Sequence, residues 1–442
     1  MPAESSDAES STPPPFSLSG HLGTLDALRG VAVLLVIARH ASTTPDATGL
    51  AQVAHAAMRA GWIGVELFFA LSGFLITGIL VDTRSDAHQL RNFYARRTLR
   101  IFPLYFAFLG AVFLFGSLTA LAEDPEFQTV QRNAAWLWTY TTNILIAWKG
   151  EAALPLQLGH LWSLAVEEQF YLLWPLVVLV VPLRRLPVAC LALSSLALAV
   201  RVALVLRAGW GVDAAYMLTP ARMDALLLGG WLALLVRDPA TRALVRRWWP
   251  PVAFAAGGAV VLLSVWRGGL DRNDPYVQLV GYGALSVLAT ALVAGALPLA
   301  GGGPLQRVLR SRALQSIGAY SYAIYLVQYP ILGALKGPLE PLVIRATGDS
   351  SVAPALVTGA VAAVLSYLVA RITWVVLEAP MLSLKRYFPR AEGYSSPTSA
   401  LAFPNASSSA LATITTAPAS VHHEGRSSRT STPHSPAKTI CK

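Results

Sequence analysis

Arg29 and His40 stand eleven residues apart in an apolar run that opens Leu25-Asp26-Ala27-Leu28-Arg29-Gly30 and closes Arg39-His40. In a helix that spacing is about three turns, so both side chains project from one side, roughly 16 Å apart along the axis. Ionisable groups at membrane depth are costly and are kept for function. A guanidinium and an imidazole on one side of a membrane helix therefore mark a reaction or transport path. His40 is the candidate general base, because a neutral imidazole held in one tautomer can take a proton from a hydroxyl near neutral pH. Three carboxylates are candidates to hold it: Glu66, just before Phe68-Phe69-Ala70-Leu71-Ser72-Gly73, and Glu167 and Glu168, just after His160-Leu161-Trp162-Ser163. Adjacent helical residues point about 100° apart, so Glu167 and Glu168 cannot both face His40. His160, Ser163 and Glu167 also have the i, i+3, i+7 spacing open to a Ser-His-Glu triad, which only hydrogen-bond geometry can establish.

Arg96-Arg97-Thr98-Leu99-Arg100 puts Arg97 and Arg100 at i and i+3 on one helix side. Paired guanidinium forks suit phosphate oxygens, with Arg29 nearby; the plainer reading is a cluster that stops and orients a span at the headgroups. Arg222 and Asp224 read as a structural salt bridge, Tyr320, Tyr322 and Tyr325 as cavity-lining hydroxyls or packing, and Arg371 with Glu378 as a network along one helix. Cys190 and Cys441 are the two cysteines, one in an apolar span and one at the C-terminus. They support neither a disulfide framework nor a cysteine metal site, and no metal is expected.

The elements that must position these groups are membrane helices. With 54% hydrophobic and 13% charged residues, the chain reads as an all-α integral membrane protein. Ten windows are long and apolar enough to cross about 30 Å of hydrocarbon: roughly 22–42, 61–81, 101–121, 166–182, 188–206, 216–236, 252–267, 276–299, 316–335 and 352–377. The aromatic segment 136–148 is too short and polar to cross and is expected at the interface. Connectors after even spans carry the arginines, from Arg84 and Arg91 through Arg184, Arg237 and Arg247 to Arg310. Connectors after odd spans carry fewer, diluted by acids, so both termini are expected in the cytoplasm. That topology puts Arg29 toward the inner side and His40, Glu66, Glu167 and Glu168 at one outer depth. The net charge of +10 lies in these connectors without interleaved stacking aromatics, so nucleic acid is not an expected partner. Residues 1–20 and those from Ala391 onward lack the apolar content for a core and are expected to be disordered around a membrane domain at 21–385; no cleaved signal peptide is expected.

Four motifs, in this order and spacing, resemble the family three membrane acyltransferases: Leu25 to Gly30 with His40, Phe68 to Ile76, Arg97-x-x-Arg100 leading into Phe102-Pro103, and His160 to Tyr171. Ser321 to Leu326 and Glu378-Ala379-Pro380 look like its late motifs. The resemblance implies a ten-span enzyme of the bacterial inner membrane that moves an acyl group, commonly acetyl, from coenzyme A. Acceptors would be hydroxyls of envelope polysaccharide, lipopolysaccharide, peptidoglycan or small-molecule sugars. It implies coenzyme A handling by Arg29, Arg97 and Arg100 and acyl transfer at His40, as base or as transient acyl carrier. Asp26, Ser72, His160 and Tyr322 are expected to contact substrate. One departure is Gln328, in Val327-Gln328-Tyr329-Pro330, where the family often has a histidine. A soluble esterase-like domain, carried by some relatives, is not expected after the last span. The rival from another class is a transporter that uses the same charges as a relay.

Overall fold

The computed structural model describes residues 22–42, 48–207, 213–300, 302–349 and 352–389. Both segments expected to be disordered lie outside the described residues. The described chain contains no strand. Ten helices of 15 residues or more carry it. They are α1 (Gly23–Ala41), α2 (Gly64–Asp82), α3 (Gln89–Leu118), α4 (Trp162–Val180), α5 (Leu186–Leu206), α6 (Thr219–Leu235), α7 (Pro239–Arg267), α8 (Tyr282–Ala296), α9 (Ser321–Thr347) and α10 (Ala353–Thr373). Each falls on one of the ten apolar windows. Among the described residues eight helices are long and apolar enough to cross a membrane, all of these but α1 and α9. Those two are the polar ones: α1 carries Asp26, Arg29, Arg39 and His40, and α9 carries Tyr322, Gln328 and Lys336. The segment 136–148 folds as parts of two short helices, Ala134–Trp138 and Thr142–Lys149, not as a crossing.

Contacts at the two ends of the bundle fix the alternation of direction. At one end, here the arginine face, Thr24 at the start of α1 donates to the Ala296 carbonyl at the end of α8 (2.6 Å). There too Arg237 after α6 pairs with Asp82 ending α2 (2.7 Å), and Asn92 in α3 donates to the Pro389 carbonyl (2.7 Å). At the opposite, histidine face, Trp62 before α2 donates to the Leu270 carbonyl after α7 (2.9 Å), and Lys336 of α9 donates to the His40 carbonyl (3.0 Å). Both ends of the described chain therefore sit at the arginine face, as an even number of crossings requires. The chain is a multi-pass integral membrane protein.

The interior is made by α1, α2, α6 and α8, while α7 and α10 bury few residues and turn Phe254, Leu262, Ile372 and similar side chains outward. In lipid an apolar exterior is the satisfied state, because backbone polar groups are already paired within each helix. Close approach at the centre depends on glycine. A Cβ on Gly30 of α1 would lie 2.3 Å from the Leu314 carbonyl oxygen of the short helix Arg312–Ala319, and one on Gly73 of α2 only 1.7 Å from that of Leu226 in α6. These two motif glycines are packing residues. They let backbones meet where any larger residue would force them apart.

Candidate active site

Two cavities enter the bundle from opposite ends. The first, of about 90 Å³, opens among Arg29, Ser72, Arg97, Arg100, Glu167, Glu168 and Tyr322. Asp26 holds Arg29 by an ion pair of 2.7 Å. Arg97 lies over the Tyr171 ring, 5.2 Å from its centroid, and among the described residues the buried Nη1 of Arg100 has no hydrogen-bond partner. A desolvated guanidinium nitrogen left unpaired costs free energy unless an acceptor reaches it, so this wall is suited to an anionic ligand. Glu167 accepts from Ser72 (3.0 Å) and Tyr171 (3.1 Å), whose hydroxyls are 2.5 Å apart, and Tyr322 donates to the Ile101 carbonyl (3.1 Å). Arg96 points elsewhere, donating to the Lys385 and Phe388 carbonyls (3.1 and 2.9 Å).

The second cavity, of about 270 Å³, is lined by His40, Arg39, His160, Trp62, Tyr216 and Tyr329, with Glu126, Glu151 and Arg272 at its polar wall. The Nδ1 of His40 meets the side-chain amide of Gln328, whose oxygen and nitrogen lie 3.1 and 2.9 Å away. The Tyr329 ring stacks on the imidazole at 3.9 Å between centroids and 12° between planes. Among the described residues Nε2 has no hydrogen-bond partner. The His160 ring, 6.2 Å from that of His40, is committed to the backbone: Nδ1 is 3.0 Å from the Gln157 carbonyl and Nε2 3.1 Å from that of Leu326. Val65 and Tyr325 line both cavities, so the two chambers meet there. The Tyr325 hydroxyl sits 2.5 Å from Ser163 Oγ and donates to the His160 carbonyl (3.1 Å).

The structure brings Arg29, Arg97, Arg100, Ser72 and Tyr322 to one cavity, of which spacing placed only Arg97 and Arg100 together, and it corrects the expected partners of His40. None of the three carboxylates holds it. Glu167 and Glu168 line the other chamber, and Glu66 lines neither, because its carboxylate is taken by Arg222 of α6. Asp224 in turn pairs with Arg201 of α5 (2.9 Å), so the expected Arg222–Asp224 bridge is replaced by two bridges between helices. Residues two apart on a helix point in widely different directions and cannot easily share one pair. No Ser-His-Glu triad forms, since Ser163 binds Tyr325 and the His160 carbonyl, and Glu167 binds Ser72 and Tyr171. Tyr320 packs against Tyr367 and Trp374, and Arg371 lies over Tyr320 and reaches the Tyr367 hydroxyl, not Glu378. Gln328 and Tyr329 are the neighbours of the His40 ring that spacing missed. The available signal was an amide inside an apolar window, which must find a partner once it is buried, as Gln328 is. Among the described residues no group of three His, Cys, Asp or Glu could hold a metal ion.

The described chain is a helical membrane bundle with a cationic chamber at one end and an imidazole chamber at the other, the two adjoining at Val65 and Tyr325. Residues 22–377 match the family model described as an acyltransferase domain, and the chain belongs to that family. It is 28% identical over 333 residues to the peptidoglycan O-acetyltransferase OatA of Listeria monocytogenes, covering 72% of this chain and 51% of that protein. It is 29% identical over 334 residues to the putative peptidoglycan O-acetyltransferase YrhL of Bacillus subtilis (72% and 49%). To the O-acetyltransferase OatA of Staphylococcus aureus it is 27% identical over 345 residues (71% and 51%). The match thus spans about half the length of these curated relatives. No solved structure matches. The transporter alternative finds no support among these relatives.

Proposed function

We propose that the chain transfers an acyl group, acetyl in keeping with the names of its relatives, from coenzyme A to a hydroxyl of a cell-envelope carbohydrate in the bacterial cytoplasmic membrane. The observation that carries this reading is the meeting of the arginine chamber and the His40 chamber at Val65 and Tyr325. The donor enters from the arginine face, which the excess of connector arginines assigns to the cytoplasm. Arg97 and Arg100, with Arg29 steadied by Asp26, meet its phosphates, and Ser72, Glu167, Glu168 and Tyr322 line its way. Its thioester arm runs along α1, over a rise of roughly 16 Å from Arg29 to His40. The acceptor enters from the histidine face, where Trp62, Tyr216 and Tyr329 offer flat surfaces to a sugar ring.

His40 acts as the general base. Gln328 holds Nδ1 while Nε2 takes the proton of the acceptor hydroxyl as its oxygen attacks the thioester carbonyl. The carbon–sulfur bond then breaks, the ester oxygen keeps the acyl group, and the thiolate leaves with the proton returned by the imidazolium. His160 does not share this work, because its two ring nitrogens both face carbonyls. Incubating membranes that contain the protein with radiolabelled acetyl-coenzyme A should place label in carbohydrate, and His40→Ala should abolish it. Wild-type labelling by that variant would overturn the role of His40. Rapid-quench mass spectrometry with no acyl adduct on His40 during full turnover is the expected outcome for direct transfer.

A further inference from the structure

A third cavity, of about 260 Å³, opens at the histidine face beside the His40 chamber and shares Arg39, Trp62 and Arg272 with it. Four arginines line it: Arg39 of α1, Arg59 of the short helix Gly49–Arg59, Arg267 and Arg272. Two of these are neutralised, Arg267 by Asp274 (2.7 Å) and Arg272 by Glu151 (2.6 Å). The remaining lining carboxylate, Asp271, accepts from the Asn273 backbone N–H (2.8 Å). Arg39 and Arg59 make no hydrogen bond or ion pair among the described residues. Arg39 is also the residue next to His40 in sequence and lines both chambers, so an anion seated on it lies close to the base.

We propose that this vestibule binds the anionic group, carboxylate or phosphate, of an acidic carbohydrate acceptor, with Arg39 and Arg59 as its partners, and thereby presents a nearby hydroxyl to His40. The inference rests on the acyltransferase reading for its purpose, but the anion site itself is a matter of charge and shape. Charge-assisted bonds from guanidinium to carboxylate or phosphate are among the strongest polar contacts, and they select acidic sugars over neutral ones of the same size.

Calorimetric titration of the full chain in detergent micelles tests this with three probes: a neutral amino-sugar oligosaccharide, the same sugar bearing a carboxylate, and the same sugar bearing a diphosphate. The wild type should bind at least one anionic probe about tenfold or more tighter than the neutral one, with the advantage shrinking in high salt. Which anionic probe binds tighter identifies the source of the charge. Arg39→Gln and the exposed Arg59→Gln should each reduce that advantage, and Arg39→Lys should restore part of it. Equal affinity for all three probes, or a preference that survives the double variant Arg39→Gln/Arg59→Gln, overturns the proposal. Acyl transfer measured on the same samples separates the two ideas. Anion preference without transfer to any probe sinks the acyltransferase reading and leaves the vestibule standing, whereas transfer with no anion preference does the reverse.

Discussion

His40 is held by a neutral amide, and the consequence is chemical. A carboxylate against Nδ1 would stabilise the imidazolium and slow its return of the proton, whereas the Gln328 amide fixes the ring without adding charge. For Nε2 to take a proton Nδ1 must carry the hydrogen, and the amide oxygen 3.1 Å away is placed to accept from it. Gln328→Ala should therefore lower kcat by about 10²-fold through misplacement of the ring, with little change in KM for either substrate, as steady-state kinetics would read. In the arginine chamber the opposite split is expected. Arg100→Ala should raise KM for the acyl donor by about tenfold, the loss of one charge-assisted contact, and leave the affinity for the acceptor unchanged.

Helices α2, α5 and α6 are tied by two ion pairs at the core, Glu66 with Arg222 and Arg201 with Asp224, in which both guanidiniums are fully buried. Arg222 also lies over the Tyr282 ring, 4.4 Å from its centroid. Breaking one partner leaves an uncompensated charge. Glu66→Gln should thus destabilise the fold by about 3–5 kcal/mol, while Glu66→Leu with Arg222→Met should recover most of that loss in thermal unfolding in detergent. If Glu66→Gln instead kept its melting temperature and lost kcat, Glu66 would belong to the chemistry. The α7–α8 loop carries a weaker, pH-dependent tie. Partial burial pushes the Asp274 carboxyl up, and the Arg267 guanidinium with the Val277 and Tyr276 N–H groups outweighs it, holding that carboxyl below the ordinary carboxylate range. A depressed folded value means stabilisation that is present above the unfolded carboxylate range and is lost as pH falls through the folded value. Asp274→Asn should flatten that acid-side loss in a melting-temperature profile below about pH 4.

Across the whole molecule, alternation of the ten helices places Gln52 at the histidine face and Arg310 at the arginine face, both exposed. With the arginine face in the cytoplasm, cysteine at position 52 should react with a membrane-impermeant maleimide in intact cells, and cysteine at position 310 only after permeabilisation. Cys190 is buried and adds little background once Cys441→Ser has removed the other thiol. The reverse pattern would invert the orientation and with it the sides from which donor and acceptor arrive.

The chain by itself determined the ten helices, because long continuous apolar windows cross bilayer hydrocarbon as helices, which pair every backbone polar group within the segment. It also determined that Arg97 and Arg100 share a wall, since i and i+3 is a property of one helix. What partners a buried charge was decided only in three dimensions. Glu66 finds Arg222 and Asp224 finds Arg201 across helix boundaries, and His40 meets Gln328 across 288 residues of chain. Which helix stands beside which, and which chamber a side chain enters, is set by packing, at close contacts such as those of Gly30 and Gly73. An expected common depth made the carboxylates look like neighbours of the imidazole, yet Glu167 and Glu168 line the arginine chamber, Glu66 is taken by Arg222, and an amide stands beside His40 instead.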